Sequence, residues 1–309
     1  MSAVALVTCA ELPEGDDDGA VLAEACADAG VNPAWVVWDD PTVDWADWDL
    51  VVVRSTWDYT TRREEFVRWA RRVPRLVNPA DVIAWNSDKT YLRDLAAAGV
   101  AVVATTWAAP GEPLVLPDSG EFVVKPVIGA GSMGVGRFEV DNRAQALAHG
   151  AALHADGLAV MVQPYVNAVD TAGEVALIHL DGRYSHCIRK AAMLARSAPI
   201  PAVSPADGPV AGLSSERRLF VSERISARAP TDEERTVAAG VLANVPIAAD
   251  LLYARVDLVP GEDGPLLLEL ELTEPSLFLQ YDDGAAGRLA TAIATRAGTS
   301  ATSSARIGR

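Results

Sequence analysis

The stretch Glu121–Val140, EFVVKPVIGAGSMGVGRFEV, guides the interpretation of the whole sequence. Its apolar run Phe122–Val124 ends on Lys125. The turn that follows contains four glycines and one hydroxyl, at Gly129, Gly131, Ser132, Gly134 and Gly136. Glycine lets successive backbone N–H groups approach an anion closely, and the lysine adds a full positive charge beside them. The stretch therefore predicts a strand–loop–strand hairpin whose loop covers phosphate groups.

Other interpretations of the glycines compete with this one. The spacing Gly129-x-Gly131-x-x-Gly134 also matches the dinucleotide fingerprint of dehydrogenases, which needs a helix directly after the glycines. Here the next residues are short and β-like and end at Asp141-Asn142, so a hairpin of the kind that covers ATP in kinases fits better. A P-loop is excluded because no Gly-Lys-Ser/Thr closes the turn. A mobile hairpin without a ligand stays open as the simplest alternative.

The composition is typical of a soluble globular protein of one or two domains. The chain has 309 residues, half of them hydrophobic, and a formal net charge of −16. This charge argues against binding nucleic acid or anionic membranes, although local lysines can still bind ATP. No apolar run is long enough to span a membrane, and the first ten residues lack the basic start of a signal peptide. Three widely spaced cysteines, Cys9, Cys26 and Cys187, favour a reduced, cytoplasmic setting.

The first 86 residues alternate strand and helix signals. Their apolar runs are continuous, which suits a parallel sheet covered on both faces, and they lie at Val4–Val7, Ala34–Trp38 and Leu50–Val53. Thr61 with Glu64 has the spacing of a capping box that opens a helix, and Thr231 with Glu234 has the same spacing later in the chain. This region is predicted to be a βαβ unit.

Polar residues follow the third of these runs. Arg54, Ser55, Thr56 and Asp58 lie just after it, where ligands of open α/β sheets bind beyond the carboxyl ends of the strands. An arginine, two hydroxyls and a carboxylate could hold a small zwitterion there. The alternative is that one of the short polar residues caps the next helix.

Lys89 is the second lysine of interest. Asn86-Ser87-Asp88 is typical of a helix cap, so Lys89–Ala98 is predicted to be a helix with Lys89 in its first turn. A cation there is unfavourable against the helix dipole, and a nearby anion would compensate. Further on, Asp181-Gly182 predicts a hairpin turn between strands Glu174–Leu180 and Arg183–Lys190.

Another chemical pattern lies in YARVDLVPGEDGPLLLELELT, residues 253–273. Two strand-like runs flank a Gly/Asp turn, and a turn centred near Asp263 places Asp257 opposite Glu269. The same register places Arg255 opposite Glu271 and puts all four charged side chains on one face. The core face is then predicted to consist of Val256, Leu258, Leu268, Leu270 and Leu272.

Three carboxylates on one strand pair repel one another, and a single arginine compensates only part of this. A hard divalent cation relieves the repulsion, and Mg²⁺ takes one or two carboxylates together with substrate phosphates. The alternative is an amphipathic hairpin with a solvated charged face. The lysine and glycine flap earlier in the chain favours the metal interpretation.

Taken in order, these elements resemble the ATP-grasp superfamily, and six runs are similar to its glutathione-synthetase-like group. The runs are RSTWDY (54–59), WNSDKTYL (85–92), VVKP (123–126), MVQPY (161–165), LLYARVDLV (251–259) and LELELTEPSLFL (268–279). The resemblance implies an α/β plus α+β fold, the ATP-grasp fold, whose two α+β lobes enclose ATP. It implies an N-terminal βαβ domain over 1–86, a small lobe over 87–166, a large lobe over 167–297 and a flexible tail over 298–309.

The same resemblance implies a role for each residue that matches the motifs. ATP would be bound by Lys89, Lys125, Gly129, Gly131, Ser132, Gly134, Gln163, Tyr165, Val166 and Asp170. Residues 163–166 would form a hinge between the lobes, at which Gln163, Tyr165 and Val166 contact the adenine. Two Mg²⁺ ions would be bound by Asp257, Glu269 and Glu271, although the family usually has asparagine at the last position. Arg255 and Lys125 would be catalytic. The substrate pocket would be lined by Arg54, Ser55, Thr56, Asp58, Thr273 and Ser276.

The implied reaction is ATP-dependent ligation. A small amino-acid carboxylate becomes an acyl phosphate, which an amine attacks. The resemblance implies that the reaction is the intramolecular closure of O-ureido-D-serine to D-cycloserine. An acyl phosphate must be kept from water, so the Ala/Pro/Ser-rich stretch Ala191–Arg217 is interpreted as a lid. A ligase that joins two amino acids and an ATP-binding regulatory protein without turnover stay open. The expected partner is a small amino-acid-like substrate, with a homo-oligomer as an option.

Overall fold

The structure is a computed structural model and describes residues 1–131, 133–192 and 224–307, with side chains as far as residue 298. Its strands are β1 Ala3–Thr8, β2 Asn32–Val37, β3 Leu50–Ser55, β4 Leu76–Val77, β5 Thr106–Ala108, β6 Glu121–Pro126, β7 Gly136–Glu139, β8 Val160–Pro164, β9 Glu174–Leu180, β10 Arg183–Lys190, β11 Ile225–Ala227, β12 Tyr253–Gly261 and β13 Gly264–Glu271. Its helices are α1 Gly19–Asp28, α2 Arg63–Ala70, α3 Ala80–Asn86, α4 Tyr91–Ala97, α5 Arg143–Ala155, α6 Val169–Ala172, α7 Asp232–Ala243 and α8 Ala285–Ile307.

The N-terminal sheet is parallel, with strand order β2-β1-β3-β4. Its strands are continuous apolar runs because both faces are covered. Val4 and Leu6 face a core shared with α1, α8 and the largest sheet, whereas Ala5 and Val7 face an aromatic cluster around α2. The predicted parallel sheet is confirmed, and one of its faces packs directly on the large lobe.

The small lobe contains the glycine hairpin. Its sheet has strand order β5-β8-β6-β7, and β6 pairs antiparallel with β7, which places Phe122 opposite Phe138. After β7 comes a 3₁₀ turn, Val140–Asn142, and α5 begins only at Arg143. The strand–loop–strand prediction is confirmed. The dinucleotide interpretation is wrong, because a strand and not a helix follows the glycines.

The large lobe contains an antiparallel sheet with strand order β11-β10-β9-β12-β13. The predicted hairpin between β9 and β10 is confirmed, with Gly182 at φ +71° in its turn. The register of the acidic hairpin is also confirmed, because Asp257 pairs with Glu269, and Arg255 pairs with Glu271.

The core face of the acidic hairpin differs from the prediction on one strand. A β-bulge follows Asp257, and beyond it Leu258 pairs with Leu267. Leu267 is therefore fully buried, whereas the predicted core residue Leu268 is half-buried in a smaller cluster near the hinge. A prediction from strict alternation assumes that the strand has no bulge. One inserted residue moves every later side chain of that strand to the opposite face of the sheet.

One of the two predicted capping boxes is wrong. Thr61 ends a 3₁₀ helix, Trp57–Thr61, and its hydroxyl donates to the carbonyl of Asp58 at 3.2 Å, so it does not cap α2. The capping box of Thr231 and Glu234 is confirmed, with both reciprocal hydrogen bonds present.

Two further boundaries differ from the prediction. Lys89 lies in the turn between α3 and α4, and Asp88 accepts a hydrogen bond from the Thr90 backbone at 2.9 Å. Residues 298–307, predicted to form a loose tail, continue helix α8. In the described ranges no helix combines the length and hydropathy that crossing a membrane requires.

The fully buried Asn78 joins the N-terminal domain to the large lobe. Its Nδ2 donates to the carbonyls of Leu272 and Tyr253 at 2.7 and 3.0 Å, and its Oδ1 accepts from Leu252 N at 2.8 Å. Asn78→Ala leaves these backbone groups buried without partners, so we expect a loss of about 3 kcal/mol in the free energy of unfolding. Urea unfolding measures it. The exposed Asn32→Ala is the control, and equal stability of the two variants would contradict the assignment.

Candidate active site

Two lysines from the small lobe meet one carboxylate of the acidic hairpin. Lys125 on β6 places Nζ 2.8 Å from Oε1 of Glu269. Lys89 places Nζ 3.7 Å from Oε2 of the same side chain and donates to the carbonyl of Gly129 at 2.9 Å. The lysines, the glycine flap and the acids that the sequence analysis singled out therefore converge on one place between the lobes.

Cations also hold the other two acids. Asp257 accepts from Nε and Nη2 of Arg255 at 2.9 Å each and from Nζ of Lys190 at 2.8 Å. Glu271 forms an ion pair with Arg255. Lys190 also lies 3.2 Å from Glu174. The sequence analysis missed Lys190, because only the placement of β9 between β10 and β12 shows that it reaches Asp257.

All lysines of the chain lie in this cluster of acids and cations. Among its 26 lysine and arginine residues the chain has three lysines, Lys89, Lys125 and Lys190. Each of the three forms an ion pair with Asp257 or Glu269. Every side-chain amine of the protein therefore lies in this one cluster, and all other basic side chains apart from the histidines are guanidinium groups.

Burial and opposite charges compete at the acids. Burial raises the pKa of Glu269, but Lys125 and Lys89 outweigh it and hold that pKa well below its usual range. Burial also acts to raise the pKa of Asp257, but Arg255 and then Lys190 lower it overall. The pKa of Glu271 is raised, because burial is reinforced by Asp257 and Glu269 and only partly opposed by Arg255. Glu271 is thus the hairpin acid whose charge is balanced least.

The three acids have the donor chemistry of a magnesium site. Carboxylate oxygens are ligands that Mg²⁺ prefers, and Asp257, Glu269 and Glu271 share one face of the hairpin. Each faces a lysine or an arginine, and among the residues that the structure describes, no three His, Cys, Asp or Glu side chains converge as metal ligands would. Metal binding by these acids stays a prediction.

Glycine is required at two points of the flap. Gly131 and Gly134 have φ of +60° and +72°, which side chains rarely adopt. A Cβ atom at Gly134 would also lie 3.2 Å from the ring of Pro126. Ser132, predicted to bind ATP, lies outside the described residues, as does the predicted lid from residue 193 onward. Phosphate binding by the flap stays a prediction.

The predicted adenine hinge is a charged and aromatic network. Asp170 forms an ion pair with Arg137 at 2.9 Å and accepts a hydrogen bond from the Tyr165 hydroxyl at 2.6 Å. The guanidinium of Arg137 lies 3.4 Å from the centre of the Tyr165 ring. Gln163 donates to Oγ1 of Thr105 at 2.9 Å. Val166 packs with Tyr165 against a small core under the hinge. These predicted residues are brought together at the end of β8.

The predicted substrate residues Arg54 and Ser55 are the last two residues of β3, and Thr56 follows them. Arg54 is fully buried, and its Nη2 donates to the carbonyl of Pro275 at 3.0 Å. The hydroxyl of Ser55 lies 2.8 Å from that of Thr8, and the buried hydroxyl of Thr56 has no partner among the described residues. Nε and Nη1 of Arg54 are buried without a hydrogen-bond partner among the described residues, and substrate binding by this side chain stays a prediction.

Asp58, also predicted to bind substrate, is held by two side chains of the N-terminal domain. It accepts from the indole of Trp38 at 2.9 Å and pairs with Arg62, and it is buried. Thr56 precedes the 3₁₀ helix Trp57–Thr61 without making a side-chain capping hydrogen bond, and Asp58 lies inside that helix, so the capping alternative is wrong. The polar run 54–58 makes contacts within the N-terminal domain, and Arg54 also contacts the loop that follows the acidic hairpin.

That loop, residues 273–279, follows the acidic hairpin and is fixed by long-range contacts. Asp18 accepts from the backbone of Leu277 and Leu279 at 2.7 Å each. Arg255 donates to the carbonyl of Ser276 at 3.1 Å. Thr273 and Ser276, predicted to line the substrate pocket, lie here, and the Ser276 hydroxyl is 3.4 Å from Asp16. The sequence analysis missed Asp16 and Asp18, which lie in an acidic turn without any distinctive spacing.

Known proteins share this fold and these elements. A family model described as the N-terminal domain of D-cycloserine synthetase DcsG matches residues 4–78. The cycloserine biosynthesis protein DcsG of Streptomyces lavendulae is 40% identical over 313 residues, which cover 96% of this chain and 99% of that protein. The crystal structure of D-cycloserine synthetase DcsG has a TM-score of 0.81 at 38% identity, covering 96% of this chain and 99% of that one.

More distant structures share the architecture. A D-alanine–D-alanine ligase from Bacillus anthracis, complexed with ATP, has a TM-score of 0.63 at 14% identity over the whole of both chains. Other matched structures are a RimK domain ATP-grasp protein from Sphaerobacter thermophilus, with a TM-score of 0.61 at 16% identity, and the ATP-grasp ligase PsnB with Mg and ADP, with a TM-score of 0.59 at 17% identity. At such identities the likeness shows the fold alone.

The fold is the ATP-grasp fold that these structures share. At 40% identity over nearly its whole length, the chain belongs to the D-cycloserine synthetase DcsG family.

Proposed function

We propose that this protein uses ATP to activate the carboxylate of O-ureido-D-serine and closes it to the ring of D-cycloserine. The observation that carries this is the convergence of Lys89 and Lys125 from one lobe with Arg255 from the other on a single set of acids. Family membership supports the choice of substrate. The amino acid would bind beside this cluster, at the loop of residues 273–279 that Arg255 contacts.

In the first step the substrate carboxylate attacks the γ-phosphate of ATP and gives an acyl phosphate and ADP. Lys89 and Lys125 bind phosphate oxygens. These oxygens replace the carboxylate of Glu269, with which both lysines pair in the structure. Arg255 stabilises charge on the transferring group. These are positioning and electrostatic roles, which supply most of the catalysis in phosphoryl transfer. The glycine flap covers the phosphates and keeps water from the acyl phosphate.

Magnesium would be held by Asp257, Glu269 and Glu271, since their carboxylates have the right donor chemistry. When bound, it neutralises phosphate charge during the transfer. The number of magnesium ions stays open. Glu271 places a charged carboxylate at a position where the superfamily usually has the neutral amide of asparagine.

In the second step the oxygen-bound ureido nitrogen attacks the acyl carbon. The new C–N bond closes the ring, and the C–O bond to phosphate breaks. Because D-cycloserine lacks the carbamoyl group of O-ureido-D-serine, that group must leave as carbon dioxide and ammonia with the uptake of one water. The overall reaction therefore releases one ADP and one phosphate for each ring formed.

The test is to incubate the protein with ATP, Mg²⁺ and O-ureido-D-serine and to measure ADP and product. We expect equal amounts of ADP and D-cycloserine, and no ADP above background without the amino acid. A requirement for a second amino acid would identify a two-substrate ligase instead. Absence of ADP release with every amino acid or pair tested would favour a regulatory ATP-binding protein. O-ureido-L-serine serves as the stereochemical control.

A further inference from the structure

A strained turn lies next to Arg255, at Phe278 in the loop of residues 273–279. Phe278 has φ +52° and ψ +41°, the left-handed conformation, in which the Cβ atom is crowded against its own backbone. It is the one aromatic residue among the three non-glycine residues of positive φ in the described ranges. A bulky residue keeps this conformation only where its surroundings impose it.

The carboxylate of Asp18 holds the backbone on both sides of Phe278. Its Oδ2 accepts from Leu277 N and its Oδ1 accepts from Leu279 N, at 2.7 Å each. Asp18 is 2% exposed, so water does not compete for these bonds. One side chain thus bridges the residues before and after the strained one, and this fixes the direction in which the Phe278 ring leaves the backbone.

Two further side chains support the same turn. Nη2 of Arg54 lies 4.0 Å from Oδ2 of Asp18 and donates to the carbonyl of Pro275 at 3.0 Å. Nε2 of His186 donates to the carbonyl of Leu277 at 2.8 Å. Arg54 and Asp18 belong to the N-terminal domain, whereas His186 lies on β10 of the large lobe. The turn is therefore held from both domains.

The ring of Phe278 contacts the guanidinium of Arg255. Cζ of Arg255 lies 5.5 Å from the ring centre, within the distance at which an aromatic ring attracts a cation. The N–H groups of the guanidinium donate to Asp257 at 2.9 Å and to the carbonyl of Ser276 at 3.1 Å. The ring adds a contact that uses none of these N–H groups, so Phe278 supplies a restraint that the hydrogen bonds leave out.

The position of the Arg255 guanidinium matters for the proposed first step. A charge stabilises a transferring phosphoryl group only if it is already in place when the transition state forms. A displacement of about 1 Å at such a site can cost about a hundredfold in rate. A residue that fixes the guanidinium from a distance therefore affects the rate without contacting the substrate.

We infer that Asp18 is a positioning residue for phosphoryl transfer, because it clamps the turn at Phe278 whose ring sets the position of the Arg255 guanidinium. The inference rests on the proposed function, in which Arg255 stabilises charge on the transferring group. The N-terminal domain thus contributes to the transfer through the loop of residues 273–279, although Asp18 and Arg255 are far apart in the sequence.

The decisive experiment is a double-mutant cycle in kcat between Asp18→Asn and Phe278→Leu. Asparagine keeps the shape of Asp18 but turns an amide N–H group toward one of the two backbone N–H groups, which opens the clamp on that side. Each single variant should lower kcat for ADP release with O-ureido-D-serine by about thirtyfold. The KM for ATP should stay within about twofold, because Lys89 and Lys125 are unchanged.

The coupling between the two changes separates a positioning role from a structural one. In the Phe278→Leu background, Asp18→Asn should lower kcat by a further factor of about three at most, because its route to Arg255 is already lost. A structural role would give the same loss in both backgrounds and overturn the inference. If Asp18→Asn does not fold, an unchanged kcat in Phe278→Leu overturns it as well.

Asp49→Asn is the matched control. Its carboxylate also accepts from a backbone N–H group of the N-terminal domain, Ala3 N at 2.9 Å, at the start of β1. This variant loses a comparable hydrogen bond outside the loop of residues 273–279, so kcat and the KM for ATP should stay unchanged. An equal loss of kcat in Asp49→Asn and Asp18→Asn would overturn the inference.

Urea unfolding supplies a readout that does not depend on activity. Glycine adopts positive φ without strain, so Phe278→Gly removes the need for the clamp. Asp18→Asn should therefore lower the unfolding midpoint less in the Phe278→Gly background than in the unaltered protein. Equal shifts in the two backgrounds would show that Asp18 does not hold the strained turn.

The outcomes distinguish this inference from the proposed function. If the unaltered protein forms no ADP with O-ureido-D-serine, the proposed function fails and the inference fails with it. If the unaltered protein forms ADP and D-cycloserine while Asp18→Asn keeps the full kcat, the proposed function stands and Asp18 does not position Arg255. A fall in kcat that depends on the Phe278 ring supports the inference.

Discussion

Replacement of Lys125 by methionine is expected to lower kcat about a thousandfold while the protein stays folded. The ammonium group lies 2.8 Å from Glu269 and is the charge that the flap strand brings to the cluster. Loss of one preorganised charge or donor at a transition state typically costs a hundredfold to a thousandfold, and here a full charge is removed from a buried site. The measurement is steady-state release of ADP with O-ureido-D-serine at saturating ATP.

The same variant carries a second, independent signature. In the unaltered protein the pKa of Glu269 is lowered, so this acid contributes stability that is present above its unfolded pKa and is lost as the pH falls through the folded value. Without Lys125 the folded pKa rises, and the acid unfolding midpoint should move to higher pH. Arg183→Met, an exposed cation on β10, is the control. A kcat within tenfold of the unaltered protein would contradict the role of Lys125.

Arg255→Met is expected to lower kcat by about a thousandfold and, unlike Lys125→Met, to destabilise the protein by about 3 kcal/mol. The guanidinium holds Asp257 through two nitrogens, pairs with Glu271 and fixes the carbonyl of Ser276. Removing it leaves Asp257 buried with Lys190 as its remaining cation. Denaturant unfolding gives the stability change, and ADP release gives the kinetic one.

Two further variants sharpen the interpretation of Arg255. Arg255→Lys keeps the charge but cannot contact three acceptors in one plane, so it should recover stability better than activity. Arg228→Met removes an arginine that pairs with Glu234 at the start of α7, and it should leave kcat unchanged. Full activity in Arg255→Met would remove this residue from the mechanism.

The parts of the fold that could be predicted are those in which neighbouring residues determine the structure. The alternation along residues 253–273 placed Arg255, Asp257, Glu269 and Glu271 on one face, because the side-chain period of a strand is two. The turn at Asp181-Gly182 and the capping box at Thr231 could also be predicted, because each depends on residues that are close together in the sequence. The bulge after Asp257 was not predictable, since no residue type marks it.

The errors concern contacts between residues distant in the chain. Arg54 lies at the end of a buried strand, and only the structure shows that it donates a hydrogen bond to the carbonyl of Pro275, 221 positions away. Asp18 holds the same loop through residues about equally distant. Lys190 appeared to be an ordinary strand residue until the sheet order placed it beside Asp257. Such roles depend on packing between domains, on which a single sequence carries little information.

The restriction of lysine to three positions has a practical consequence. Amine-selective reagents can modify only Lys89, Lys125, Lys190 and the chain terminus, so covalent labelling of this protein reports on one cluster without engineered variants. Reductive methylation with ¹³C-formaldehyde would give few resonances, nearly all from groups that face Asp257 or Glu269. Added nucleotide should shift or protect these signals, and each lysine could be followed separately as the phosphates displace its carboxylate partner.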